Sequence, residues 1–151
     1  MESIKIDETI GFIGSGNMCE ALVGGLIKKN VSTKEKICSS NPSTGRLEIM
    51  KQKFGTETFS GAGSNIEVVK RSQVVVLAVK PVYLMGVLNE IKDHLTSDHL
   101  VLSIVAGASI DTIKKEIPQV RLARLVVNTP ALLGTGAGAS AIGEGALEKD
   151  S

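Results

Sequence analysis

Aromatic residues are scarce in this chain, which has no tryptophan, one tyrosine and three phenylalanines. Proteins that bind single-stranded nucleic acid stack the bases on aromatic rings, and this composition offers no such platform. The chain also lacks an excess of charge, because 17 basic and 16 acidic side chains give a formal net charge of +1. A balanced charge provides no electrostatic attraction for a polyanion or an anionic membrane. We therefore expect neither a nucleic acid nor a membrane as a partner.

Cysteines and long apolar runs are also few. No stretch approaches the roughly 20 apolar residues that cross a bilayer, and residues 1–8 form an acidic N-terminal extension without a signal-peptide core. Cys19 and Cys38 match neither the spacing of a metal site nor that of a disulfide framework. These features predict reduced thiols, no metal site and a cytoplasmic location.

A strand, a glycine turn and a helix follow one another near the N-terminus. Ile10, Phe12 and Ile13 form the short apolar run of a parallel strand that is buried on both faces. Gly14 and Gly16 come next, before an amphipathic helix. In such a unit the first glycine permits a tight turn, the second admits a pyrophosphate, and the helix N-terminus offers N–H groups to it. The stretch predicts a dinucleotide site; the alternative is a turn that only joins strand to helix.

The second predicted strand, 37–41, ends without a carboxylate. A domain that selects NAD usually has an Asp or Glu there, which binds the ribose hydroxyls. Small polar residues and Arg46 stand there instead, and they suit a 2′-phosphate: Ser39, Ser40, Asn41, Ser43 and Thr44. We predict NADP(H) as the preferred cofactor and NAD(H) as the alternative. The other interpretation is a turn and helix cap at residues 41–43, with Arg46 on a solvated face.

Strands and helices alternate along the rest of the chain, which is typical of an α/β domain. We predict a Rossmann-like, doubly wound, mostly parallel sheet in a single domain over residues 9–142, with 143–151 as the start of an unfinished linker or helix. Strands are predicted at 57–59, 74–79, 100–105, 121–127 and 137–142. Helices are predicted at 44–53, at 66–71 with Ser64 or Asn65 as the cap, at 83–94 and at 110–117.

Ligands of open α/β sheets bind at the carboxyl ends of the strands, and several residues are predicted there. Lys80 follows the 74–79 strand, and Pro81 suits the first position of the next helix. Asn128 and Thr129 follow the last parallel strand. The alternatives are a solvated loop lysine and a turn before Pro130. The two histidines, at positions 94 and 99, are expected in solvated or capping roles.

Three motifs in this order resemble pyrroline-5-carboxylate reductase: Gly11-Phe12-Ile13-Gly14-Ser15-Gly16-Asn17-Met18, Leu77-Ala78-Val79-Lys80-Pro81 and Asn128-Thr129-Pro130-Ala131. The resemblance covers about residues 9–142. It implies that a hydride passes from NAD(P)H to the C=N carbon of a cyclic imine, giving L-proline without a metal. The enzyme's contribution would be mainly positioning and electrostatics.

The resemblance also implies which residues bind the cofactor, while the catalytic acid stays unknown. To the set it implies we add Arg46, from the argument on the second strand. The predicted cofactor residues are Ile13, Gly14, Ser15, Gly16, Asn17, Met18, Asn41, Ser43, Arg46, Asn65, Ala78, Val79, Lys80, Pro81, Ile104, Val105 and Ala106. The predicted substrate residues, near the nicotinamide, are Asn128 and Thr129.

Three departures from the family pattern matter. Cys19 replaces the usual Ala, either as a packed small residue or as a thiol whose pKa the helix N-terminus lowers, which would favour oxidation. Val126 and Val127 precede Asn128 where Met and then Pro or Thr are common, so the substrate side may differ. The family's second, helical domain, which forms the dimer, has no counterpart here.

That last departure predicts a cofactor-binding fragment with poor turnover and exposed apolar surface, and a homo-oligomer only when the second domain is present. The alternatives are a non-catalytic NADP-binding module or truncated isoform that pairs with full-length subunits, and a different Rossmann reductase acting on another substrate.

Overall fold

The computed structural model describes residues 8–14, 17–41, 44–105, 107–126 and 138–142. The extension at residues 1–7 and the tail at 143–151 lie outside this part of the chain. Among the described residues, no helix is long and apolar enough to span a membrane.

In the described part of the chain, seven strands and five α-helices follow one another in the order that the sequence predicts. The strands are β1 (Ile10–Ile13), β2 (Ile37–Ser40), β3 (Glu57–Phe59), β4 (Val74–Leu77), β5 (Leu100–Ser103), β6 (Arg121–Val126) and β7 (Gly138–Ile142). The helices are α1 (Asn17–Lys28), α2 (Thr44–Phe54), α3 (Ser64–Arg71), α4 (Pro81–Ile91) and α5 (Ile110–Glu116), with short 3-10 turns at Lys34–Lys36 and Lys92–His94.

One sheet contains all seven strands, in the order β3-β2-β1-β4-β5-β6-β7. The first six are parallel, and β7 runs antiparallel to β6 at the edge. This confirms the doubly wound, mostly parallel sheet. The strand order reverses between β1 and β4, where such sheets form their ligand crevice. In the register, Ile13 lies level with Ser40 on one side and with Leu77 on the other, so the three strands end at the same height.

Helices cover both faces of the sheet, which explains why its central strands are apolar throughout. One layer packs α1 and α2 against the sheet, with Phe12, Val23 and Met50 in its core. The other packs α3, α4 and α5, with Val69, Leu88 and Ile113 buried. The crevice at the carboxyl ends of the strands therefore rests on two well-packed layers.

Two predicted strands extend two residues beyond the observed ones. Strand β4 ends at Leu77 rather than at residue 79, and β5 ends at Ser103 rather than at residue 105. One further backbone hydrogen bond follows the end of each of these strands. The Ala78 nitrogen donates to the Ile13 oxygen at 2.9 Å, and the Ile104 nitrogen donates to the Leu77 oxygen at 3.1 Å. The apolar residues beyond these points form the loops above the crevice.

The predicted cap of α3 is wrong. Gly63 occupies the N-cap position with a φ of 81°, and no side chain caps the helix. Ser64 and Asn65 lie inside the first turn of the helix instead. Glycine adopts the left-handed conformation without steric cost, which allows the loop to enter the helix one residue before the predicted cap.

Candidate functional site

Gly14 joins the ends of three strands. Its nitrogen donates to the carbonyl oxygen of Ser40 at 2.8 Å, and its φ is 104°. A Cβ atom at this position would lie only 2.5 Å from the carbonyl oxygen of Ala78. Glycine is therefore required both for the backbone conformation and for the close approach of the β1 and β4 ends. Gly14 is buried at the point where the strand order reverses.

Helix α1 begins at Asn17, just after this turn. The first N–H groups of a helix have no partner within the helix, and they point with the positive end of its dipole toward whatever lies before it. Met18 is half-buried and Cys19 fully buried, so the helix start is anchored in the core. Gly14 and α1 together have the form of an anion site for a pyrophosphate.

Asn65 connects the end of β2 to helix α4. The hydroxyl of Ser40 donates to its Oδ1 at 2.6 Å, while its Nδ2 donates to a carboxylate oxygen of Glu90 at 2.8 Å. Asn41 follows Ser40, and its nitrogen donates to the carbonyl oxygen of Phe59 at 3.3 Å. The structure therefore brings the predicted cofactor residues Asn41 and Asn65 close to Ser40, at the carboxyl end of β2.

Arg46 lies in the first turn of α2, and its side chain is 29% exposed. Its guanidinium pairs with Glu20 of α1 at 3.1 Å, and Lys53 reaches the other oxygen of the same carboxylate at 2.8 Å. The hydrogen bond from Lys53, followed by the contact with Arg46, holds the pKa of the Glu20 carboxyl below its usual value. Glu20 therefore stays ionised at neutral pH.

The loops after β4 and β5 form the other side of the crevice. Ala78 and Val79 are half-buried, whereas Lys80 and Pro81 are exposed. Pro81 stands in the first turn of α4, as predicted, with Lys80 as the N-cap residue. Three apolar side chains in the first turns of α4 are exposed: Val82 (80%), Tyr83 (62%) and Met85 (47%). Beyond β5, Ile104 is half-buried and Val105 is buried.

Both cysteine thiols are buried, and burial raises the pKa of each. Cys19 is completely buried, and this burial raises its pKa from 9.0 to about 12. The alternative, in which the helix N-terminus lowers the pKa, is therefore wrong, because loss of hydration outweighs the helix dipole. Burial also raises the pKa of Cys38. Both remain free thiols, and Cys19 fills the role of a small packed residue.

The two histidines have the solvated or capping roles that the sequence predicts. Nδ1 of His99 accepts a hydrogen bond from the Thr96 nitrogen at 3.0 Å, and His94 is exposed at the end of a 3-10 turn. Within the described part of the chain, no group of three His, Cys, Asp or Glu residues could hold a metal ion. Six predicted site residues lie outside that part: Ser15, Gly16, Ser43, Ala106, Asn128 and Thr129.

Comparison with known proteins agrees with the form of this crevice. The family model described as "NADP oxidoreductase coenzyme F420-dependent" matches residues 9–107, which is more than half of the chain. The chain belongs to this family. The match covers the glycine turn, Arg46, Asn65 and the loops after β4 and β5, so the family domain contains most of the candidate site.

Individual relatives are named pyrroline-5-carboxylate reductase. The protein from Arabidopsis thaliana is 33% identical over 99% of this chain and 51% of its own length, and that from Escherichia coli K12 is 36% identical over 87% and 48%. The solved enzyme from Coxiella burnetii superposes with a TM-score of 0.84 at 34% identity, covering 96% of this chain and 53% of that one. The resemblance inferred from the motifs is confirmed, and the chain spans about half the length of these relatives.

A further solved structure, the Plasmodium falciparum pyrroline carboxylate reductase, has NADP bound. It superposes with a TM-score of 0.77 at 27% identity, covering 97% of this chain and 52% of that one.

Sequence reasoning missed two residues of the site, Glu20 and Glu90. Glu20 is 26 residues from Arg46, and Glu90 is 25 residues from Asn65, with each pair on separate helices. A helical wheel places Glu20 on the polar side of α1, but it does not indicate which cation faces it. Only the packing of α1 on α2, and of α3 on α4, brings these carboxylates to the predicted cofactor residues.

Proposed function

We propose that this chain is the NADP(H)-binding domain of a pyrroline-5-carboxylate reductase, which reduces L-1-pyrroline-5-carboxylate to L-proline. The glycine turn carries this proposal, because Gly14, with its φ of 104°, lets the ends of β1, β2 and β4 meet just before helix α1, where doubly wound sheets bind a dinucleotide. The names of relatives at 33–36% identity supply the substrate. The motifs at Lys80–Pro81 and residues 128–131 support the same family.

The residues present fit a phosphorylated dinucleotide. The turn at Gly14 and the start of α1 are suited to the pyrophosphate, as the hydrogen bonding and dipole of a helix N-terminus require. The end of β2 carries Ser40 and Asn41 rather than an acid, and Arg46 follows in the first turn of α2. A carboxylate would repel a 2′-phosphate, so this composition favours NADP(H), with NAD(H) as the weaker ligand.

The cofactor, when bound, supplies the hydride that the imine carbon accepts. The work of this domain is then to bind and orient the nicotinamide half against the loops after β4 and β5, including Val79, Lys80 and Ile104. Asn128 and Thr129 are proposed for the substrate side. No residue of the described chain is assigned as the acid that protonates the ring nitrogen.

The whole enzyme's activity requires more than this domain. Its relatives are about twice as long, and we propose that a second domain completes the substrate pocket and forms the homo-oligomer. The isolated chain should therefore bind cofactor but reduce the imine poorly. We keep the cytoplasm as the proposed compartment, which two unpaired thiols support.

A fluorescence titration tests the cofactor site directly. The reduced nicotinamide of NADPH is itself fluorescent, and the chain has no tryptophan to interfere. Saturable binding with a lower Kd for NADPH than for NADH is expected. A folded chain that binds neither dinucleotide would overturn the proposal. A chimera of this chain with the C-terminal half of a full-length relative is expected to reduce the cyclic imine.

A further inference from the structure

Glu20, Arg46 and Lys53 form a cluster that the proposed function does not itself require. We propose that Glu20 and Lys53 set the strength of selection for a 2′-phosphate, because Arg46 exchanges its Glu20 partner for that phosphate while Lys53 keeps the carboxylate paired. This inference rests on the proposed cofactor site and adds two specificity-determining residues to it.

The position of Arg46 gives the first step. It is the third residue of α2, and the helix starts four residues after the end of β2 at Ser40. In dinucleotide-binding folds the adenosine ribose lies at the end of this strand, and a nearby arginine accommodates the 2′-phosphate. The guanidinium, however, is already paired with Glu20 at 3.1 Å. A phosphate must therefore compete with a carboxylate for it.

The partial burial of Glu20 strengthens its competition with a phosphate for Arg46. Its side chain is only 25% exposed and that of Arg46 only 29%, so water screens the pair less than it screens a fully exposed one. Glu20 is also the fourth residue of α1, whose N-terminus faces the predicted pyrophosphate. A carboxylate in contact with Arg46 opposes the binding of a phosphate at the same guanidinium.

Lys53 favours this exchange because it keeps the Glu20 carboxylate paired with a cation. It lies seven residues after Arg46, two helical turns along the same face of α2. Its ammonium donates to the second oxygen of Glu20 at 2.8 Å, so the two cations bind opposite sides of one carboxylate. When Arg46 turns to a phosphate, Glu20 keeps a charged partner. Without Lys53, the carboxylate would hold Arg46 more tightly.

Two substitutions should therefore move the selectivity in opposite directions. Glu20→Gln keeps the shape of the side chain but removes its charge, and should lower the Kd for NADPH about two- to fivefold while leaving NADH unchanged. Lys53→Met should raise the Kd for NADPH by a similar factor. Titration with adenosine 2′,5′-bisphosphate and with adenosine 5′-monophosphate should show the same split, since only the former carries the 2′-phosphate.

Each variant has a matched control on helix α2. Glu48→Gln removes a carboxylate whose partner is Gln52 rather than a cation near the site. Lys51→Met removes a charge from an exposed lysine two residues from Lys53. Both should change NADPH and NADH binding equally and slightly. In an Arg46→Met background, Glu20→Gln should lose its effect on the ratio of the two Kd values, which a double-mutant cycle measures.

The outcomes separate this inference from the proposed function. If the folded wild-type chain binds neither dinucleotide, the proposed cofactor site fails. If it binds NADPH but Glu20→Gln matches Glu48→Gln, or weakens NADPH, the partner exchange is overturned while the site stands. Equal effects of Lys53→Met and Lys51→Met would overturn the role of Lys53. Far-UV circular dichroism confirms that each variant is folded before it is titrated.

Discussion

The nitrogen of Gly14 donates a hydrogen bond to the carbonyl oxygen of Ser40, at 2.8 Å, one residue beyond the last paired position of β1 and β2. On the other side of β1, the carbonyl oxygen of Ile13 accepts from Ala78 at 2.9 Å. The glycine turn is thus held from both neighbouring strands. Its backbone is positioned by the sheet itself, before any ligand arrives, and this limits what can be changed there.

Gly14→Ala should damage both the fold and the site. The left-handed φ of 104° and a Cβ atom 2.5 Å from the Ala78 oxygen leave no room for a methyl group. We expect a loss of about 1–3 kcal/mol in stability and loss of measurable NADPH binding. Gly86→Ala is the control, because nothing lies within 4 Å of its Cβ position in α4. Unchanged NADPH binding by a folded Gly14→Ala variant would contradict the assigned role.

Gly11→Ala should destabilise the domain through packing alone. A Cβ atom there would collide with Oγ of Ser72 and Cγ1 of Val68, so strand β1 and helix α3 would have to separate. Overpacking of this kind costs about 1–3 kcal/mol. Gly25→Ala, in open space on α1, should instead stabilise by about 0.5–1 kcal/mol. Urea unfolding followed by circular dichroism measures both, and equal stabilities would refute the expected contrast.

Asn65→Asp should disrupt the link from β2 to α4. The new carboxylate still accepts from Ser40 but no longer donates to Glu90, and the two acids would repel each other. We expect a loss of about 1–2 kcal/mol together with weaker NADPH binding. Asn89→Asp adds the same charge to an exposed neighbour of Glu90 and should have little effect. Identical unfolding curves for the two variants would argue against the link.

The buried Cys19 thiol should make the fold sensitive to alkali. Its pKa is about 12 in the folded chain and near 9.0 when hydrated, so the folded state holds the proton more tightly. Stability is then complete below pH 9 and falls as pH rises toward 12, by at most about 1.4 kcal/mol per pH unit. Cys19→Ala should lose this component. Urea midpoints at pH 8 to 11 test it, and parallel profiles for the two proteins would rule it out.

The sheet was predictable because its signals are local. Apolar runs such as 74–79 indicate a buried strand wherever they occur, and Pro81 marks a helix start from its own chemistry. The alternation of these signals then allows few topologies, and the observed one is the doubly wound sheet. Strands β4 and β5 are shorter than predicted because an apolar residue beyond the end of a strand can still be buried in a loop, as Val105 is.

The polar side chains of the site were less predictable because their partners are distant in sequence. Local rules predicted Asn65 as a helix cap, but a hydroxyl from β2 and a carboxylate from α4 bind it instead. The rule that a helix N-terminus lowers a thiol pKa failed at Cys19, because the layer of α1 and α2 excludes water there. In both cases tertiary packing decided the environment, and a single sequence contains no direct record of it.

Both cysteines are buried, Cys19 completely and Cys38 to 3% exposure, so their alkylation can report local opening of the domain. An alkylating reagent can reach these thiols only when the surrounding layer separates, so the labelling rate reports that local event. Cys19 belongs to the layer of α1 and α2, and Cys38 packs with the layer of α3, α4 and α5. Mass spectrometry distinguishes the two labelled peptides. Equal labelling rates would mean that the two helical layers open together. Unequal rates would identify the layer that opens more readily.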